Sequence, residues 1–564
     1  MSVATASLAE EFDRGLGDPR DPAAAFSYAR CAELDAAEEF PGEICDLLNA
    51  RGLQRYYVPE PLGGKLRDFP VPLQLIRAVA RRDLTVAIAH GKTFLGGVSA
   101  WIAPVSAVTQ LVGAQVIYGA PVSWGLTERA HGSDLLAGEV RAEEVPGGYR
   151  LTGEKWLINN ATRGRAITVL AHTGGGPRGF DVFVVDKTAL APTEFSCLPK
   201  VRTHGIRGAD ISGIAFTGAF VPASARLGAP GTGLETVLKG LQLTRTLCSA
   251  LSLGAGEHSL RLALEFAEGR QLYGRRLLEL PNAVRTLADA GADHVLNEAV
   301  ALVGSRSIQA LTGEMSLVSA VVKYLLPSRT DRMISTLGRF LGARSQLTNV
   351  DIDGRFQKLA RDHRIVGIFD GNTLVNLNSI INEFPIVARY AGTPYDAAAL
   401  RTALDPDESL PDFDTVRLRL VSRAGSSLLR ALPDLARQAK HTPAGEHAAR
   451  VLDHYTELLA ELACHRPVRI TVPRRSFVLA ERLSLCWAAA AVLGLSAHTS
   501  RPDPLLADGL WQRAVLGRIL EGLGEAVARP AGQDEAIVDG LRARLEQGLS
   551  LSLLPHRVAE GTSR

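Results

Sequence analysis

The sequence predicts an α+β protein with an N-terminal helical domain (residues 1–115), a middle antiparallel β domain (116–230), a helical bundle (231–390) and an additional C-terminal helical domain (391–564). Three observations carry this reading. Runs rich in Ala, Leu and Arg recur with helical texture before residue 115 and again from Leu234 onward. Between them, short runs of Val, Ile, Thr and aromatic residues are separated by Gly and Pro clusters, the pattern of strands and turns. The length of 564 residues also exceeds what one hydrophobic core serves, so several packed domains follow.

In chain order, Val71 to Leu84 is the clearest early helical run, broken from its neighbours by loops such as PEPLGGKLRDFP. The strand candidates are VIYGAPVSW, AITVLAHT, FDVFVVDK and GIAFTGAFV, with turns at 146–148 and 173–177. From Leu234, the residues Val237, Leu241, Thr244, Cys248 and Leu251 lie on one stripe that Leu260, Leu264 and Ala267 continue, which predicts one helix of about 30 residues and roughly 45 Å. A Pro- and Asp-rich passage, TPYDAAALRTALDPDESLPDFD, reads as a linker, and VRLRLVSRAGSSLLRALPDLARQ and HAARVLDHYTELLAELA beyond it are amphipathic helical pieces.

Composition narrows the function. With 46% hydrophobic and 22% charged residues and a net charge of +2, the chain has no global field that would draw nucleic acid or an anionic membrane. Six scattered cysteines without a C-x-x-C pair or a His at metal spacing predict free, mostly buried thiols and no metal site. The acidic N-terminus lacks the features of a signal peptide, and the ten-residue apolar stretch Cys486 to Leu495 reads as a buried helix, so a cytoplasmic protein with no membrane span is expected.

Four segments stand out chemically. WGLTERAHGSD (124–134) runs from a strand into small polar residues whose hydroxyls and backbone N–H groups could hold a polar ligand, or form an ordinary surface turn. LTGEKWLINNA (151–161) places Trp156 in an alternating strand, where a core role is the common one. Arg270 in EGRQLYG has the look of a solvated helix-end cation. Asp370 follows the apolar run of RIVGIFDGNT, where its carboxylate either faces a pocket or caps the following helix.

Together these motifs resemble the acyl-CoA dehydrogenase superfamily in content, order and spacing. The likeness is strong from about 116 to 390, weaker over the N-terminal helices and architectural beyond 390. WGLTERAHGSD resembles the family's TEPGAGSD segment, EKWLINNA its K-x-WITN strand, and HGIRGADISGIAFTGAFVP its segment ending in V-x-VP. LTRTL (243–247), GRQLYG (269–274), LADA (287–290), FLGA (340–343) and LARDHRIVGIFDGNT (359–373) follow in the family's order.

The resemblance implies an FAD enzyme that takes an α proton from an acyl thioester with a carboxylate and passes a β hydride to flavin N5. It assigns Leu126, Thr127, Ser133, Trp156 and the backbone of Ile158 to the flavin, with Asn372 and Thr373 beside it. Arg270, Tyr273 and Gly342 complete the FAD site of a neighbouring subunit, which implies a homodimer or homotetramer. Ser133, Arg245 and Gly371 are assigned to substrate and Asp370 to the base, because Thr244 stands where other members place a Glu. Departures are Ile158 for a Thr, Pro281 for a Gln, Arg129 and His131 for Pro and Ala, and Asp370 for Glu.

The implied substrate is an acyl-CoA or an acyl carrier protein thioester, with Arg129, His131 and the PRR at 473–475 as cations that could meet an acidic carrier. The implied electron acceptor is an electron-transfer flavoprotein or O₂. The alternatives are a flavin oxidase or monooxygenase of the same superfamily, of the kind found in natural-product pathways, and a nucleic-acid-binding flavoprotein relative, against which the near-neutral charge counts.

Overall fold

The computed structural model describes residues 3–176, 179–348, 354–466, 471–499, 505 and 509–560. Six helices come first: α1 (Val3–Gly15), α2 (Tyr28–Ala37), α3 (Gly42–Ala50), α4 (Pro70–Arg82), α5 (Leu84–Ile102) and α6 (Ala107–Ile117). Eight strands follow: β1 (Val122–Gly125), β2 (Arg141–Val145), β3 (Gly148–Asn159), β4 (Ala166–His172), β5 (Phe180–Asp186), β6 (Phe195–Leu198), β7 (Ile211–Pro222) and β8 (Arg226–Leu227). Next are α7 (Gly233–Leu247), α8 (Ser249–Gly269), the hairpin β9 (Gln271–Leu272) and β10 (Arg275–Arg276), α9 (Pro281–Ala310), α10 (Met315–Leu341), α11 (Arg355–His363) and α12 (Thr373–Tyr390). The extension holds α13 (Ala397–Leu404), α14 (Ser427–Gln438), α15 (Gly445–Ala463), α16 (Arg474–His498), α17 (Leu510–Gly522) and α18 (Gln533–Glu546). The order of helices, sheet, bundle and further helices is the one the sequence predicts.

The chain forms two compact units. One comprises residues 25–67 and 83–244, and the other residues 1–24, 68–82 and 245–564. In the first, the sheet runs β6-β7-β3-β2-β4-β5-β8 with β1 beside β4. Most pairings are antiparallel, but β1 lies parallel to β4, from Val122 opposite Ala166 to Gly125 opposite Val169, so the sheet is mixed. Leu151, Ile158, Val169, Phe183, Ile214 and Phe216 are among the inward-facing residues that make its core. Helix α5, capped by Asp83 whose carboxylate accepts from the Val86 N–H at 2.9 Å, packs on β1. A Cβ on Gly96 would lie 2.0 Å from the Val122 carbonyl oxygen, so only glycine permits that approach.

In the second unit, α4, α8, α9 and α10 pack together around a polar interior. Arg77 is fully buried between Glu257 at 2.9 Å and Glu298 at 2.8 Å. The stripe from Val237 does not form one helix. The helix breaks at Cys248, where the Leu251 N–H bonds the Cys248 carbonyl at 3.1 Å in a tightened turn. The Ser249 hydroxyl donates to the Thr246 carbonyl at 2.6 Å there, a local bond that competes with helix geometry. Within the passage read as a linker, Asp396 caps the short helix α13 by accepting from Ala399 N–H at 2.9 Å.

All six cysteines are free, and Cys31, Cys45, Cys248 and Cys486 are buried. Helix α16 is long and apolar enough to cross a membrane by length and composition, but 83% of its apolar window is buried inside the protein. No group of His, Cys, Asp or Glu among the described residues could hold a metal ion.

Candidate active site

Asp370 lies outside any helix, between α11 and α12, with a left-handed backbone (φ +56°). It does not cap α12. Asn372 does, accepting from the Val375 N–H at 3.0 Å, which leaves the Asp370 carboxylate to other work. A positive φ is costly for a non-glycine residue and persists only where the surroundings enforce it. Here Arg245 Nε donates to the Asp370 carbonyl at 3.0 Å, and Asn376 Nδ2 donates to the carbonyls of Gly371 and Asn372, each at 2.9 Å. Gly371 (φ +94°) has no room for a side chain: a Cβ there would come within 2.8 Å of the Arg245 guanidinium. Burial pushes the Arg245 guanidinium down to about 10, opposed by the Asp370 charge, so it stays cationic at neutral pH.

The stem of the loop is equally fixed. Lys323 donates to the Val366 carbonyl, and its ammonium sits 4.6 Å from the centre of the Phe369 ring. His363 bonds Asp331 at 2.6 Å and Ser252 at 3.0 Å. Thr373, the first residue of α12, reaches the Gly367 carbonyl at 3.4 Å. The structure therefore brings Asp370, Arg245, Gly371, Asn372 and Thr373 to one place. It adds Cys248, whose thiol donates to Asp370 Oδ2 at 3.3 Å, a contact that sequence reasoning missed.

A second group lies on the β unit. The Thr127 hydroxyl donates to the Trp156 carbonyl at 2.8 Å, and the Trp156 N–H donates to the Thr127 carbonyl at 3.0 Å. A bulge between Trp156 and Ile158 puts Leu157 at φ +57°. The Ile158 side chain is buried in the sheet core, so its main chain alone is left for a ligand. Leu126 and Thr127 are half-buried, and Ser133 is exposed on the loop. Lys155 Nζ bonds Glu128 at 2.7 Å and the Leu126 carbonyl at 3.1 Å, while Glu128 also accepts from the N–H groups of Glu139 and Val140 at 2.6 and 3.1 Å. This pair, also missed in the sequence, ties the loop to the Trp156 strand.

Arg129 sits over the Trp156 ring, 4.3 Å from its centre, and forks onto Glu154 at 2.9 and 3.2 Å. His131 pairs with Glu139 at 3.5 Å and Arg475 with Glu461 at 2.7 Å. Of the cations expected to meet a carrier protein, Arg129, His131 and Arg475 thus have partners within the chain.

The third group is the hairpin after α8 and the end of α10. Tyr273 (φ +53°) and Gly274 (φ +72°) form the hairpin tip, and Tyr273 is 96% exposed. Arg270 at the helix end is half-buried, with no ion-pair partner among the described residues. Gly342 ends α10 at φ +65°, ψ −143°, a conformation reserved for glycine. Beside it is a cavity of about 710 Å³ lined by Ser335, Gly338, Arg339, Gly342, Ser345 and Arg364 among others. Asp331 lines it too, and Ser345 donates to the Gly342 carbonyl at 2.8 Å, so the groups suited to the phosphates of a dinucleotide such as FAD are the guanidinium groups of Arg339 and Arg364.

Known proteins agree with this anatomy. Residues 123–219 match the model of the acyl-CoA dehydrogenase middle domain, and residues 231–384 that of the acyl-CoA dehydrogenase C-terminal domain. The probable acyl-CoA dehydrogenase FadE25 of Mycobacterium tuberculosis is 26% identical over 373 residues, covering 65% of this chain and 94% of the relative. Butyryl-CoA dehydrogenase from Megasphaera elsdenii shares the fold with a TM-score of 0.60 and 21% identity, over 67% of this chain and 96% of that one. The prolyl acyl carrier protein oxidase AnaB shares it with a TM-score of 0.60 and 16% identity, over 67% and 97%. Fold and matched segments together define an FAD-dependent oxidoreductase acting on acyl thioesters. The chain belongs to the acyl-CoA dehydrogenase superfamily and carries additional helices after the bundle.

Proposed function

We propose that the protein is an FAD-dependent acyl-thioester dehydrogenase in which Asp370 removes the α proton. The observation that supports this is the Asp370 loop itself: a carboxylate excused from capping, on a strained backbone held from Arg245, Asn376 and Gly371. Bound FAD supplies the two-electron acceptor for the hydrogen that leaves the β carbon, so the product is an α,β-unsaturated thioester. Thr127 and Trp156 border the flavin, Ser133 lies beside flavin and substrate, and Asn372 and Thr373 border the cofactor next to the base. Arg270, Tyr273 and Gly342 serve the FAD of a second copy, which makes the enzyme a homo-oligomer. The exposed, strained Tyr273 and the Arg270 side chain support that assignment. Arg245 keeps the Asp370 main chain in place, and the Asp370 N–H donates to the thioester carbonyl as charge develops there.

The carrier remains CoA in this reading, because Arg129, His131 and Arg475 are already paired. The test is anaerobic flavin bleaching by butanoyl-CoA, octanoyl-CoA and the same acyl groups on a carrier protein. Asp370→Asn retains FAD but loses bleaching by about 10²-fold or more, and Asp370→Glu retains part of it. Near-normal flavin reduction by Asp370→Asn overturns the assignment. Rapid reoxidation of the reduced flavin by air with release of peroxide marks the oxidase reading instead.

A further inference from the structure

We propose that Cys248 is a positioning residue for Asp370, its thiol holding the short base in one rotamer and setting the pH range in which the base works. The inference rests on Asp370 being the proton acceptor. It starts from the helix break. Cys248 belongs to neither α7 nor α8, is 6% exposed, and sits where the chain departs from the stripe that its sequence spacing predicts. Its backbone there keeps right-handed helical torsions (φ −58°, ψ −18°), and its sulfur lies 3.3 Å from Asp370 Oδ2.

What that contact controls follows from what is already fixed. The main chain from Asp370 onward is held by Arg245 through the Asp370 carbonyl and by Asn376 through the Gly371 and Asn372 carbonyls, and the stem before it by Lys323 on the Val366 carbonyl. Cys248 bonds the atom that the side-chain torsions of Asp370 move. A base one methylene shorter than Glu has little tolerance, since a misplacement of about 1 Å costs on the order of 10²-fold in rate.

The donor type also matters. A cation bonded to the carboxylate would suppress its basicity; Arg245 Nε donates instead to the main-chain carbonyl at 3.0 Å, although the two charges still interact. A hydroxyl donates more strongly than a thiol and would stabilise the ionised form more. The thiol fixes orientation at the smallest cost in basicity.

Two measurements test the proposal on the FAD-loaded protein. The S–H stretching band of Cys248, isolated as the infrared difference between wild type and Cys248→Ala, lies at lower wavenumber than the other thiol bands and moves up in Asp370→Ala. An unchanged band overturns the contact whatever the substrate. In anaerobic stopped flow with butanoyl-CoA and octanoyl-CoA, Cys248→Ala slows flavin reduction about 10- to 100-fold with KM little changed. Cys248→Ser recovers most of that rate, and the acidic limb of its pH profile moves to lower pH. Equal losses in Ala and Ser with an unmoved limb mean a packing role and overturn the proposal. Normal bleaching by Asp370→Asn overturns the base assignment, and with it this inference, while the infrared result still reports on the contact.

Discussion

Glu128 and Lys155 show how one pair of residues can shape a site without touching a ligand. Both side chains are buried, 7% and 2% exposed, with their charged groups 2.7 Å apart. Burial alone would push the Glu128 carboxyl up, but Lys155 and the N–H groups of Glu139 and Val140 hold it below the usual carboxylate range. Burial pulls the Lys155 ammonium below the usual amine range, and Glu128 opposes it. Glu128→Gln strands a buried ammonium, which costs about 3–5 kcal/mol and frees the loop carrying Thr127 and Ser133. The expected result is a lower Tm together with faster FAD release, and a loss under about 1 kcal/mol would mean that the pair is dispensable. At this scale the motifs made Thr127, Trp156, Arg245 and Asp370 legible. Lys155 and Cys248 were not, because their meaning depends on partners 27 and 122 positions away that no local pattern connects to them.

Elements were legible where periodicity is local and misread where side-chain bonds interrupt it. The stripe from Val237 to Ala267 runs unbroken through the sequence, but Ser249 and its neighbours split it into α7 and α8. Residues 549–560 fall in the region read as helical, but the structure threads them, outside any helix, into the polar interior of their unit. His294 Nε2 donates to the Leu551 carbonyl at 2.8 Å, the Leu551 N–H donates to Glu257 at 3.1 Å, Ser552 bonds Glu298, and the Ala559 N–H reaches Asp13 at 2.8 Å. Deleting residues 549–564 strands these buried groups at about 1–3 kcal/mol each, a total that rivals the 5–15 kcal/mol of a whole domain. The deletion variant should therefore lose cooperative unfolding although it keeps every candidate site residue. A variant with wild-type Tm would show the segment to be a passive tail.

At the scale of the whole molecule the order of helices, strands and helices was readable, but the gathering of residues 1–24 and 68–82 with 245–564 was not, because packing partners far apart leave no periodic trace. That packing buries titratable groups whose linkage predicts the pH dependence of stability. Burial pushes His90 down to about 4, His258 to about 3 and His556 to about 4, and lowers His294 as well. Between these values and 6.5 the unfolded chain binds more protons than the folded one, so stability is lost as pH falls below 6.5. A histidine moved from 6.5 to about 4, as His90 and His556 are, carries about 3 kcal/mol. Glu314 has the opposite sign. Burial, with Glu383 adding to it, pushes its carboxyl up to about 7, although Ser427 opposes through its hydroxyl at 2.5 Å and its N–H at 2.9 Å. The folded state therefore binds the extra proton between 4.5 and 7, and stability falls as pH rises through that window. Several histidines outweigh one carboxylate below 6.5, so unfolding free energy should climb steeply to about pH 6.5 and then level or decline slightly toward pH 8. Glu314→Gln mimics the protonated acid, its amide oxygen accepting from the Ser427 N–H and its amide nitrogen donating to the hydroxyl. Denaturant unfolding of this variant should show little change below pH 4.5, a steeper rise between pH 4.5 and 6.5, no decline above it, and a gain of up to about 3 kcal/mol at pH 8. A variant that keeps the wild-type slope between pH 6 and 8 would assign that decline to other groups.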